Sequence, residues 1–143
     1  MTIRGIDASG PPVGDGGKQM IKGVGIDIAE LKRIRSHIDD TAFVRRVLTP
    51  EERDCFYSLD DKRKAEFLAG RFSAKEAYAK ARGTGIGQEV SFQDLSVLND
   101  PSGRPYASAP LFRREKIHLS ITHTDQMVAT VCVIEGLSGP SAY

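Results

Sequence analysis

The sequence predicts one α+β domain built on an antiparallel sheet. Three observations point there. Ile21 to Ile28 alternates apolar residues with small or polar ones, the pattern of a strand. The middle of the chain carries helix starts, helix stops and an alanine-rich run without proline. The last third returns to short β patterns joined by turn residues, so strand, helices and hairpins follow in that order.

In the first strand, Val24, Ile26 and Ile28 fall on one face and Gly23, Gly25 and Asp27 on the other. Ala29 to Ile38 reads as a helix with Leu31, Ile34 and Ile38 inward and Lys32, Arg33 and Arg35 outward. Asp39-Asp40-Thr41 breaks it, with Thr41 as the cap of a short helix over 42–47. Thr49-Pro50-Glu51-Glu52 has the form of a capping box with proline at the first helical position, and that helix runs to about Ser58. Lys64 to Arg82 is the longest helix, stopped by Gly83. Ser91 to Leu98 reads as a strand, Asn99 to Gly103 as a turn and Arg104 to Ser108 as the return strand. Ile117–Thr122 and Met127–Ile134 form a second hairpin about His123 to Gln126.

The first 19 of the 143 residues hold five of the 14 glycines and two of the seven prolines, with no apolar periodicity. They read as a leader or expression extension, 20–135 as the domain and 136–143 as a frayed tail. The leader has neither the basic start nor the apolar centre of a signal peptide. No apolar run approaches the roughly 20 residues of a membrane span. The expected setting is cytoplasmic, with Cys55 and Cys132 as reduced thiols.

A net charge of +1 argues against a nucleic-acid binder. The average hides a polarity. Residues 62–82 carry seven Lys or Arg against two Glu, and residues 51–61 carry five acids against one Arg. Such a local basic surface suits a compact anionic ligand or an acidic partner, or is a solvated helix face.

Asp27 follows two glycines on its strand face, which leave room beside the carboxylate for a ligand or metal. The plainer alternative is a cap for the next helix. Phe72, Ser73, Glu76 and Lys80 share one stripe of the long helix. Glu76 and Lys80 are then either an i, i+4 surface pair or part of a site. Two carboxylates on separate elements suit a hard divalent cation completed by phosphate oxygens and water. Arg71 points about 140° away from Glu76, so it reaches around the helix or belongs to a neighbouring chain's site. Gly83 to Gly87 is no Walker loop and lies at the negative end of a helix, so it reads first as a helix stop. Its amides, Gly83 included, stay candidates for a ligand contact. His118 and His123 fall on opposite strand faces and do not share a metal. His123, at the strand end, is the better ligand contact.

These segments together resemble the holo-[acyl-carrier-protein] synthase family, the small bacterial 4′-phosphopantetheinyl transferases. The motifs are GVGIDIAELKRI (Gly23–Ile34), RVLTPEE (Arg46–Glu52), KRKAEFLAGRFSAKEAYAKARGTGIG (Lys62–Gly87), VSFQDLSVLNDPSGRPY (Val90–Tyr106) and HLSITHT (His118–Thr124). They stand in family order across nearly all of 21–135. The resemblance implies transfer of 4′-phosphopantetheine from coenzyme A to a serine of apo-acyl carrier protein, releasing adenosine 3′,5′-bisphosphate, in support of fatty acid biosynthesis. It implies Mg²⁺ held by Asp27 and Glu76, with Lys80 at the coenzyme A pyrophosphate. It assigns Arg71 and His123 to the nucleotide end, and Arg33 and Arg46 to docking the acidic carrier. It also implies a homotrimer with sites at subunit interfaces. The last strand agrees, being apolar on both alternating faces and so in need of cover on both sides.

Overall fold

The computed structural model describes residues 18–112 and 114–138. The architecture is α+β. Strand β1 (Lys18–Glu30) leads into three short helices, α1 (Leu31–Arg35), α2 (Thr41–Val47) and α3 (Pro50–Phe56), and the long α4 (Asp61–Ala81). Strands β2 (Ser96–Asn99), β3 (Pro105–Ser108), β4 (Glu115–His123) and β5 (Met127–Ser138) follow. One antiparallel sheet has the order β1-β5-β4, and β2 and β3 form a separate hairpin.

Several boundaries differ from the expectation for physical reasons. β1 runs from Lys18 to Glu30 because β5 pairs with it along its whole length, from Lys18↔Ser138 to Glu30↔Met127. Lys18 and Gln19, read as leader, and Gly136 to Ser138, read as tail, are therefore sheet residues. The remainder of those two segments, 1–17 and 139–143, lies outside the described residues. Ala29 and Glu30 stay extended, and α1 begins where the Leu31 amide donates to Gln126 O at 2.8 Å. Asp40, not Thr41, caps α2, accepting from the Phe43 amide at 3.1 Å. Asp60 caps α4 three residues earlier than expected. Ser91 to Asp94 is a capped 3₁₀ turn rather than strand, since the Ser91 and Asp94 side chains satisfy each other's backbone amides locally. The capping box at Thr49 stands as expected, with the Thr49 amide donating to Glu52 Oε1 at 2.8 Å.

The helix α4 lies across the inner face of the sheet, and both apolar clusters of the core pack on it. One gathers Leu31, Ile34, Val44, Val47, Leu48 and Phe56 from the short helices against Leu68. The other gathers Val90, Leu95, Val97, Cys132 and Ile134 around Tyr78. A helix covered on nearly every side must be slim where backbones approach, which explains the alanines at 69, 74, 77, 79 and 81.

The closest approach corrects the reading of the two glycines. A Cβ on Gly23 would overlap the carbonyl oxygen of Ala81, and one on Gly25 that of Ala77. The space on that strand face is filled by the backbone of α4, not kept open for a ligand. The opposite face, with Val24, Ile26 and Ile28 at 60%, 65% and 60% exposure, is uncovered in the single chain.

A buried ion pair fixes α4 against the rest. Lys75 Nζ donates to Glu52 Oε1 at 2.6 Å and to Val47 O at 2.7 Å, and both side chains are fully buried. Glu52 Oε2 accepts the Val97 amide at 2.6 Å, while Arg71 Nε donates to Val97 O at 3.0 Å. One residue of β2 is thus gripped from two helices.

Gly25→Ala should destabilise the fold by about 3 kcal/mol, because a backbone carbonyl cannot move aside as a side chain can. Gly87→Ala, where an added Cβ meets nothing within 4 Å, should stay within about 0.5 kcal/mol of the parent. Urea unfolding of both variants checks this, and equal losses would contradict the close-approach argument.

Candidate active site

Alternation along β1 sets the site. Gly25 sits under α4, so Asp27, two residues on, points to the same inner face one step further along the helix. There it meets Lys80, whose Nζ lies 3.2 Å from Asp27 Oδ1 and 3.2 Å from Ile26 O. Ser73 Oγ donates to the Asp27 backbone carbonyl at 3.3 Å. Asp27 Oδ2 is buried and has no hydrogen-bond partner. Asp27 does not cap α1, whose N-cap is Glu30.

Glu76 stands one helical turn before Lys80. Burial pushes its carboxyl above the usual range, and the Asp27 carboxylate raises it further, with Lys80 opposing both. Two carboxylates from two elements therefore feel each other across a partly water-excluded gap, with one ammonium beside them. Among the described residues no group of three or more His, Cys, Asp or Glu converges. The donor set is two carboxylates, one of them with a buried oxygen unclaimed. That suits a hard cation that keeps water and phosphate oxygens for its other positions.

Glu76 also lines a cleft of about 490 Å³ between α1, α2 and α4. Arg33 and Arg46 line the same cleft, so the two arginines singled out for docking stand with the carboxylate. Its apolar part consists of Ile34, Phe43, Phe72, Ile86 and Phe92. Phe72 lies 6.1 Å from Phe43 and 5.5 Å from Phe92 between ring centroids, and the Arg46 guanidinium lies 5.8 Å over Phe92. Sequence reasoning placed Phe72 in the Glu76 stripe but missed Phe43, Ile86 and Phe92. Their one local signal was Phe92 directly behind the Ser91 cap.

The other expected residues are elsewhere on this chain. Arg71 is buried on the opposite side of α4, where Nε and Nη2 hold Val97 O and Asn99 Oδ1 at 3.0 and 3.2 Å. Its guanidinium also stacks 3.9 Å over Phe67. His123 is exposed at the end of β4, separated from β1 by the whole of β5. Gly83 has φ +82° and ends α4, and its amide donates to Lys80 O at 2.9 Å. The amides of Thr84 and Gly85 both donate to Ala79 O at 3.1 Å. That part of the glycine loop spends its amides on the helix end, so Gly83 offers a ligand no free N–H there.

Comparison with known proteins shows the family. The family model described as the 4′-phosphopantetheinyl transferase superfamily matches residues 23–132, and the chain belongs to that superfamily. A holo-[acyl-carrier-protein] synthase of Bacillus subtilis is 51% identical over 120 residues, 83% of this chain and 99% of the relative. Among solved structures, a Bacillus anthracis holo-(acyl-carrier-protein) synthase in complex with CoA (3′,5′-ADP) is 47% identical, with a TM-score of 0.76 over 82% of this chain and 98% of that one. The Neisseria meningitidis holo-[acyl-carrier-protein] synthase is 36% identical, with a TM-score of 0.73 over 80% of this chain and 98% of its own.

The raised Glu76 carboxyl has a definite sign in stability. Its proton is held more tightly folded than unfolded, so ionisation costs folding free energy. The cost is absent below the unfolded range, about 4.3, and grows as pH rises through and above it. Glu76→Gln should therefore raise the melting temperature of metal-free protein at pH 7, and the gain should vanish by about pH 4. A gain of equal size at both pH values would contradict it.

Proposed function

We propose that this chain transfers the 4′-phosphopantetheine group of coenzyme A to a serine of apo-acyl carrier protein, yielding holo-carrier and adenosine 3′,5′-bisphosphate. Membership of the superfamily and the names of its relatives support the reaction. The observation that carries it to these residues is the unclaimed, buried Asp27 oxygen beside Glu76 and Lys80. No helix among the described residues is long and apolar enough to cross a membrane, which accords with a cytoplasmic enzyme acting on two water-borne substrates.

Asp27 and Glu76 would hold Mg²⁺, whose charge offsets that of the attacked pyrophosphate. Lys80 adds a second positive charge at the same point and offsets the charge that grows on the leaving phosphate. The serine hydroxyl attacks phosphorus as the bond to the nucleotide phosphate breaks, and its proton must leave. Glu76, or a water held beside it, would take that proton. The aromatic floor of the cleft gives the apolar pantetheine arm and the carrier surface something to rest on, with Arg33 and Arg46 facing the acidic partner. Holding two bulky partners in line supplies much of the acceleration.

The uncovered sheet face supports a homotrimer. Val24, Ile26 and Ile28 of β1 stand beside Val133, Val131 and Ala129 of β5, an apolar surface of the kind subunit contact covers. In that arrangement His123 and Arg71 would meet the nucleotide end of coenzyme A from a neighbouring subunit. Arg71 is the weaker of the two, because two of its donors are already spent on β2.

Incubation with coenzyme A, Mg²⁺ and an apo-carrier, followed by mass spectrometry, should show phosphopantetheine added to the carrier. Asp27→Ala and Glu76→Ala should abolish the addition without unfolding the chain. Full activity in excess chelator would contradict the metal assignment. Arg33→Glu should raise the Michaelis constant for the carrier roughly tenfold and flatten its salt dependence, because opposite charge mainly speeds encounter. Coenzyme A affinity should fall far less in the same variant. Calorimetry with coenzyme A separates the two effects, and an equal loss of both would refute a dedicated docking role.

A further inference from the structure

Asp27 and Thr130 stand opposite one another in the β1–β5 register. Both side chains lie on the inner face beneath α4, in step with buried Val128 and Cys132 on β5, and Thr130 is only 2% exposed. Each carries a buried oxygen with no hydrogen-bond partner, Oδ2 of Asp27 and Oγ1 of Thr130, and these are the only two such side-chain atoms among the described residues. A buried polar group without a partner is unfavourable to the fold. Two of them on facing positions of one sheet point to a shared purpose.

The chemistry is complementary. A carboxylate oxygen accepts and a hydroxyl donates. Directly opposed side chains keep their Cβ atoms about 4.5–5.5 Å apart. A rotation about χ1 of the threonine, or one bridging water, closes that distance. The neighbouring donors are committed. Ser73 Oγ holds the Asp27 backbone carbonyl, and Lys80 Nζ is shared between Asp27 Oδ1 and Ile26 O. A valine at 130 would have the same shape, suit a strand equally well and bring no orphaned oxygen of its own. The hydroxyl is therefore a cost to the fold that only a polar role offsets.

We propose that Thr130 is a positioning residue for Asp27. Its hydroxyl donates, directly or through one water, to one lone pair of Asp27 Oδ2, leaves the other for a divalent cation and fixes the orientation in which the carboxylate meets it. It touches neither substrate. It acts through Asp27, as outer hydrogen bonds to metal-ligating carboxylates generally do. The inference rests on the reading of Asp27 and Glu76 as cation ligands.

The test is Mn²⁺ binding followed by electron paramagnetic resonance with coenzyme A present, beside thermal unfolding of metal-free protein. Wild type, Thr130→Val, Thr130→Ser and Asp27→Asn are compared. Thr130→Val should weaken Mn²⁺ binding roughly tenfold while its metal-free melting temperature stays level or rises. Thr130→Ser, which keeps the hydroxyl, should bind within about threefold of wild type. Two outcomes overturn the role of Thr130 alone: Thr130→Val binding Mn²⁺ as wild type does while Asp27→Asn does not, or a Thr130→Val loss that tracks lower stability and is not rescued by serine. A wild type that binds no Mn²⁺, or whose binding survives Asp27→Asn, refutes the cation reading and this proposal with it.

Discussion

The structure depends on how closely β1 approaches α4. Gly23 and Gly25 lie against the carbonyls of Ala81 and Ala77, a contact that any side chain on either residue would prevent. Strand alternation then gives Asp27 no choice of face. It follows Gly25 by two residues and emerges beneath the helix where the close contact ends, beside Lys80 and opposite Glu76. The two carboxylates come near enough to influence each other because backbone packing, which is stiff, brings them there. A site made this way is held to small tolerances without a loop to order.

A second constraint works from the other side of α4. Lys75 and Arg71 face away from the sheet and are held by Glu52, Val47 O and Val97 O. Removing one partner of such a buried pair is far more costly than the pair is stabilising, because the remaining charge has no water to turn to. The pair therefore acts less as glue than as a key. It permits one rotation of α4 about its axis, and that rotation turns Glu76 toward the cleft and Lys80 toward Asp27. The tie to Val47 O also sets the end of α2, and with it Arg46, at a fixed distance from Glu76. Stability in this core and geometry in the cleft thus rest on the same few buried charges.

What could be read from the sequence was local or periodic. The Thr49 capping box was legible because its partners are three residues apart. Asp27, Glu76 and Lys80 were legible because charged residues interrupt positions that alternation or helical spacing assigns inward. The true lengths of β1 and β5 were not legible, since each depends on the other across the chain. Ser91 to Asp94 was misread because a 3₁₀ turn with buried Val90, Phe92 and Leu95 on either side mimics strand alternation. The glycines were misread for a deeper reason. A missing side chain records only that something comes close, and a helix backbone and a ligand leave the same mark. The buried Glu52–Lys75 pair went unseen because two charges 23 positions apart look like solvated surface until a fold encloses them. The unclaimed Thr130 hydroxyl has no sequence signal at all.

Packing of β1 on α4 would make one cation site of Asp27 and Glu76. A crystal of the protein grown with coenzyme A and Mn²⁺, measured at a wavelength where manganese scatters anomalously, tests it most directly. An anomalous peak bonded to both the Asp27 and the Glu76 carboxylates is expected, with phosphate oxygens of coenzyme A on its open side. A nucleotide bound with no peak between those carboxylates, or with manganese held by other residues, would contradict it.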